Sequence, residues 1–186
     1  MNMAPLVRVA SRVVNGARLW GRRRHGSNVA YSRVVLARLT ALPNEGAVIN
    51  YLRKVDPFVV EEVVLTLLEE RGIFVLRNRA YTGDGGVDGS FWWPGRGWHA
   101  IQCKRYSSAV KASHAREFCD LVKRQYRGGV FAHTGRTGDM TQEAMAAPSL
   151  FVLSGSTLTR SIKGGHPLEL MDRRKSARSR PAMVTA

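Results

Sequence analysis

The sequence predicts an α/β fold, a mixed sheet covered by helices on both faces. Three features of its pattern point that way. Apolar residues recur at helical spacing between residues 29 and 71, then alternate with a period of two between 73 and 104. Beyond residue 110 the pattern runs helix, strand, helix, strand, a β-α-β return. With 186 residues, 44% hydrophobic and 23% charged, the chain has the length of one domain with appendages and the composition of a folded core.

Taken in order, residues 21–28 read as a linker ending in a cap. A helix follows at 29–41, with Val34, Leu36, Leu39 and Leu42 as its apolar positions, and stops before Pro43. A short helix is predicted at 45–54. Asp56-Pro57 is an N-cap followed by the proline favoured at a first helical position. It opens a helix to about Arg71 whose buried stripe is Val60, Val63, Val64, Leu67 and Leu68, and Gly72 ends it. Ile73–Leu76 reads as a buried strand. Val87–Trp92 and Trp98–Lys104 read as two more, divided by the turn composition Trp93-Pro94-Gly95-Arg96-Gly97. Residues 111–126 are predicted helical on the stripe Ala115, Phe118, Cys119 and Val122. Gly129–Thr134 is a strand, 139–147 a helix, Leu150–Leu153 a strand and 154–163 a last helical piece.

Charge divides the chain. The net charge is +15, and residues 1–44 hold eight arginines and no acid. Residues 171–186 hold five basic residues against Asp172. The expected organisation is a basic arm at 1–28, a helical extension at 29–55, a catalytic domain at 56–165 and a basic tail at 166–186. Basic arms attract polyanions through long-range steering and counterion release, so Arg22, Arg23, Arg24, Arg173 and Arg174, with Arg105 beside Lys104, are candidate nucleic-acid contacts. Residues 5–20 place Leu6, Val9, Val13, Ala17 and Trp20 near one helical face, and three readings compete there: an organellar transit segment, a surface-seeking helix and a phosphate-binding arm. No run of about 18 apolar residues exists, so no membrane span is expected. Two cysteines, Cys103 and Cys119, are too few for a disulfide scaffold and suit the reducing cytoplasm. Both read as small buried hydrophobes, and the five histidines show no metal-ligand spacing.

The chemistry concentrates on the central hairpin. Folding it about Gly95 sets Trp92 opposite Trp98 and Asp88 opposite Gln102. Lys104 follows on the same face, because i and i+2 share a face in any strand. Asp88, Gln102 and Lys104 then converge within the ~4.5–8 Å of opposed and diagonal pairs, while Val87, Phe91, Ile101 and Cys103 turn into a core. Such a trio suits phosphodiester hydrolysis around a hard cation. Asp88 supplies a carboxylate, Gln102 a neutral oxygen and Cys103 its backbone carbonyl, and Lys104 serves the attacking water. A further carboxylate comes from Glu61 or Glu62, and Asp84 in the Gly-rich segment 82–86 is an outer-shell acid. Alone, Asp88 would be an ordinary turn former. Trp92, Trp93 and Trp98 cluster at the hairpin tip, for packing or for stacking on a splayed base.

Gly83-Asp84-Gly85-Gly86-Val87-Asp88-Gly89, followed by Gln102-Cys103-Lys104-Arg105-Tyr106, resembles the Mrr-like restriction endonuclease family, the Gln-x-Lys variant of the PD-(D/E)xK nuclease superfamily. The resemblance runs from about Pro57 to about Gly164. It implies a restriction-endonuclease-like fold with an αβββαβ core, and Mg²⁺-dependent cleavage of DNA, with Mn²⁺ as a substitute. It assigns Asp88 as metal-binding acid, Gln102 as the metal-side residue, Lys104 as catalytic lysine and Glu61 as helix acid. Val60 and His133 depart from the family pattern, and no winged-helix reader is evident in residues 1–55. The alternative is a catalytically inactive DNA-binding module on the same fold. A basic accessory protein coating nucleic acid or a membrane surface is a third reading. A homodimer is expected if both strands of a duplex are cut.

Overall fold

The computed structural model describes residues 24–78, 86–139, 146 and 149–171. Residues 24–41 are helical (α1), followed by α2 (Glu45–Leu52) and α3 (Pro57–Glu70). The strands are β1 (Val75–Arg77), β2 (Gly89–Trp93), β3 (Gly97–Lys104), β4 (Gly128–His133) and β5 (Leu150–Ser154). Helix α4 (Ala112–Gln125) joins β3 to β4, and α5 (Gly155–Ile162) follows β5. The five strands form one sheet in the order β1-β2-β3-β4-β5. The first two pairings are antiparallel and the last two parallel, so the sheet is mixed as the sequence predicts.

Two apolar clusters flank it. One gathers α1, α2 and α3 with Phe91, Ile101, Cys103, Val130 and Phe151; the other gathers α4 with Ala100 and Phe131. The caps are those the sequence encodes. Asn44 accepts from the Ala47 N–H at 2.9 Å and Asp56 from the Phe58 N–H at 2.9 Å.

Several boundaries differ from expectation, each for a tertiary reason. Residues 24–28, read as linker, are helical, because α1 docks on α3 there: His25 meets Glu62 at 3.1 Å and the Arg24 guanidinium sits over Phe58. Helix α3 buries more than the predicted stripe, since α1 covers its back through the Ser32–Thr66 hydroxyl contact at 2.7 Å. The strand predicted at 73–76 is displaced to Val75–Arg77, and Phe74 and Leu76 are exposed, because β1 is the sheet's edge. Residues 167–171, read as the start of a basic tail, are helical, and they bury Leu168 and Met171 in the core. Of the helix predicted at 139–147, Asp139 is helical and most of the remainder lies outside the described residues.

Candidate active site

The hairpin pairs as the arithmetic about Gly95 requires from Trp93–Gly97 to Gly89–Ile101, with Trp92 facing Trp98, but the expected Asp88–Gln102 pair does not form. β2 leaves β3 at Asp88. The Asp88 N–H donates to the Ile101 carbonyl at 2.9 Å, and the Asp88 carboxylate then accepts from the Cys103 N–H at 2.6 Å. The neighbouring Val87 carbonyl accepts instead from the Asn78 side-chain amide. A side-chain carboxylate thus takes the place a ladder carbonyl would hold in a continued hairpin. This divergence corrects one expectation. Val87 packs with Ala100 and Phe131 rather than with Phe91, Ile101 and Cys103, because it lies beyond the start of β2, where strict alternation no longer applies.

Gln102 is buried on β3. Its amide nitrogen donates to the Gly86 carbonyl at 2.5 Å, which fixes which end of the amide is oxygen. That oxygen, Oε1, is buried without a hydrogen-bond partner among the described residues. A buried acceptor left unmatched costs about 1–3 kcal/mol, a cost that a bound cation removes. The Cys103 carbonyl leaves the strand on the same side as its N–H, toward the Asp88 carboxylate.

The helix acids separate by their partners. Glu62 is 2% exposed and held by Arg77 at 2.5 Å and His25 at 3.1 Å. From Val59 to Leu68, Glu61 is the residue that is not buried. The Cys103 thiol registers what surrounds it: burial, then the negative charges of Asp88 and Glu61, push it well above the usual thiol value, and Lys104 pulls it back. The thiol itself donates to the Val60 carbonyl at 3.9 Å, between β3 and α3. Lys104 ends β3 beside His133 on β4. Among the described residues, no three His, Cys, Asp or Glu side chains form a ready metal cluster. The ligands expected from the sequence, two carboxylates, an amide oxygen and a backbone carbonyl, are of the kind that suits a hard cation keeping several waters.

Arg77 and Asn78, which the sequence reading passed over, brace this arrangement. Arg77 reaches Glu62, Glu69 at 2.5 Å and Thr66 at 3.1 Å on α3, while its backbone pairs with Gly89. The Asn78 N–H donates to the Asp88 carbonyl at 3.1 Å. One edge of β1 thus ties the helix bearing Glu61 to the strand end bearing Asp88. No spacing rule marks either residue.

The predicted DNA contacts divide. Arg24 is exposed, and Arg105 is exposed with its guanidinium donating to the Arg53 carbonyl. Arg22, Arg23, Arg173, Arg174 and Asp84 lie outside the described residues. A cleft of about 320 Å³ opens beside this region, lined by Arg53, Thr134, Arg136 and Gly155 among others. Arg53 closes one side through donation to the Thr134 carbonyl at 2.7 Å.

A mixed five-stranded sheet, with an acid where two strands part and a Gln-x-Lys on the next, defines a restriction-endonuclease-like domain. The profile of the Mrr catalytic domain, described as restriction endonuclease, matches residues 52–162, and the chain belongs to that family. Among solved structures it is similar to "MspJI Restriction Endonuclease in Complex with 27-mer Oligonucleotide", at 18% identity and a TM-score of 0.49. That alignment covers 76% of this chain and 37% of the other, so the chain spans little more than a third of that protein's length. No curated protein matches.

Proposed function

We propose that this chain is a Mg²⁺-dependent endodeoxyribonuclease that hydrolyses DNA phosphodiester bonds, with Mn²⁺ able to substitute. The observation that carries the reading is the buried Oε1 of Gln102, unmatched among the described residues, on the strand whose Cys103 N–H donates to the Asp88 carboxylate. Asp88, Gln102 through Oε1, the Cys103 carbonyl and Glu61 would hold the cation, with Asp84 in the outer shell. When bound, the metal supplies a polarised water and charge stabilisation at the phosphate. The Lys104 ammonium orients that water and offsets the negative charge that grows on the phosphoryl oxygens. Glu62 is left out, because its carboxylate already balances Arg77.

Arg22, Arg23, Arg24, Arg105, Arg173 and Arg174 hold the DNA backbone, with a steep salt dependence. Two copies acting together account for cutting both strands. The cytoplasm suits the two free cysteines, and no described helix is long and apolar enough to cross a membrane.

The test is cleavage of supercoiled DNA with and without Mg²⁺, by the wild type and by Asp88→Asn and Lys104→Ala. Loss of cleavage in both variants, with DNA binding retained, is expected. Metal-independent turnover, or full turnover by either variant, overturns the reading. Binding without cleavage by the wild type makes the chain an inactive DNA-binding module.

A further inference from the structure

The sheet face that carries Gln102 and Lys104 continues away from the candidate site into an aromatic row, exposed at Phe74 and Trp92 and half-buried at Trp98. Trp98 on β3 faces Trp92 on β2, and the Trp92 N–H donates to the Phe74 carbonyl at 3.0 Å, which brings Phe74 into the same row. The Trp92 and Trp98 rings meet edge to face at 5.6 Å, and those of Phe74 and Trp98 at 6.0 Å. One row nearer the site, Leu76 faces Ser90 and Ser90 faces Ala100. By strand alternation these residues share the face of Gln102, four positions along β3 from Trp98, or about 13 Å. Helix α4 packs on β3 and β4, whereas toward β1 and β2 the face is exposed: Phe74 is 61% exposed, Leu76 48% and Trp92 43%.

The size and rim of this surface indicate its occupant. Aromatic side chains bury about 150–250 Å² each, so the exposed part of the patch amounts to roughly 300 Å². A stable dimer needs about 800 Å² from each partner. The patch is thus too small to hold a second copy alone. Its rim is basic. The Arg127 N–H donates to the Trp98 carbonyl at 3.0 Å, Arg124 stands in the last turn of α4 before it, and both side chains are exposed. Rings bordered by guanidinium groups complement a base and its phosphate. Paired bases hide their faces inside the duplex stack, whereas unpaired ones present them.

We propose that the Phe74–Trp92–Trp98 row is a stacking platform for unpaired bases of a DNA strand, a few nucleotides from the bond to be cut. The choice of polymer and the position of the cut rest on the nuclease reading; stacking itself does not. The substrate is then DNA with a single-stranded or opened stretch beside the cleavage point.

The full chain in EDTA is titrated with a short oligothymidylate and with a blunt duplex, following tryptophan fluorescence and the anisotropy of labelled DNA. The single strand is expected to quench the fluorescence, and Trp92→Ala to weaken single-strand binding about tenfold while duplex binding is unchanged. Phe74→Ala, at the most exposed position of the row, is the second variant, with a smaller loss of the same selectivity. Circular dichroism establishes that each variant is folded. Unchanged single-strand affinity in both variants overturns the platform, as does an equal loss on both DNA forms. Self-association abolished by Trp92→Ala overturns it in favour of a second copy. Cleavage is not read, so failure of the nuclease reading remains distinguishable from failure of this one.

Discussion

The Asp88 carboxylate accepts the Cys103 N–H at 2.6 Å where β2 and β3 stop pairing. One side chain therefore ends a hairpin and presents a carboxylate to the candidate site, which ties local folding to the proposed chemistry.

Substitutions at Asp88 should separate these roles. Asp88→Asn keeps an acceptor for the Cys103 N–H, so folding is retained while cleavage is lost. Asp88→Ala leaves that N–H unmatched and costs about 1–3 kcal/mol as well. Urea denaturation, run beside the cleavage assay, distinguishes the two variants.

Arg77→Ala should be the most destabilising change at a polar residue. It strands Glu62, 2% exposed, with the Arg77 ion pair removed. Breaking one partner from a buried pair costs about 3–5 kcal/mol. Urea denaturation of the variant beside the wild type reads the loss.

His133 gives the fold an acid sensitivity. Burial lowers its pKa from 6.5 to about 4, so the native state holds it neutral while the unfolded chain takes up a proton. Its contribution is intact above pH 6.5, falls as pH drops toward 4 and levels off below. The full span is about 3 kcal/mol by linkage. The difference in unfolding free energy between the wild type and His133→Asn, plotted against pH, should slope only in that window.

Gly89 cannot carry a side chain without displacing its surroundings. A Cβ there would lie 2.8 Å from the Leu76 carbonyl oxygen and 2.9 Å from Leu65. Gly89→Ala should cost about 1–3 kcal/mol by overpacking. Because Asp88 precedes it, the variant should also raise the Mg²⁺ concentration needed for half-maximal cleavage, which a metal titration reads.

Much of the fold was legible because periodicity is local. The Asp56-Pro57 cap, the register about Gly95 and the β-α-β return follow from neighbouring residues, and so does the placing of Gln102 and Lys104 on one face of β3; that pairing stops at Gly89, with Asp88 beyond it, does not. The sequence could not say that Glu62 is the acid paired with Arg77, since that turns on Arg77 arriving from another strand. Nor could it show that β1 lies at the edge, leaving Phe74 and Leu76 exposed, or that residues 24–28 join α1 through contacts with α3. Local pattern fixes which face a residue prefers, because side-chain direction follows the backbone period. What that face meets depends on elements distant in the chain, and only their packing decides it.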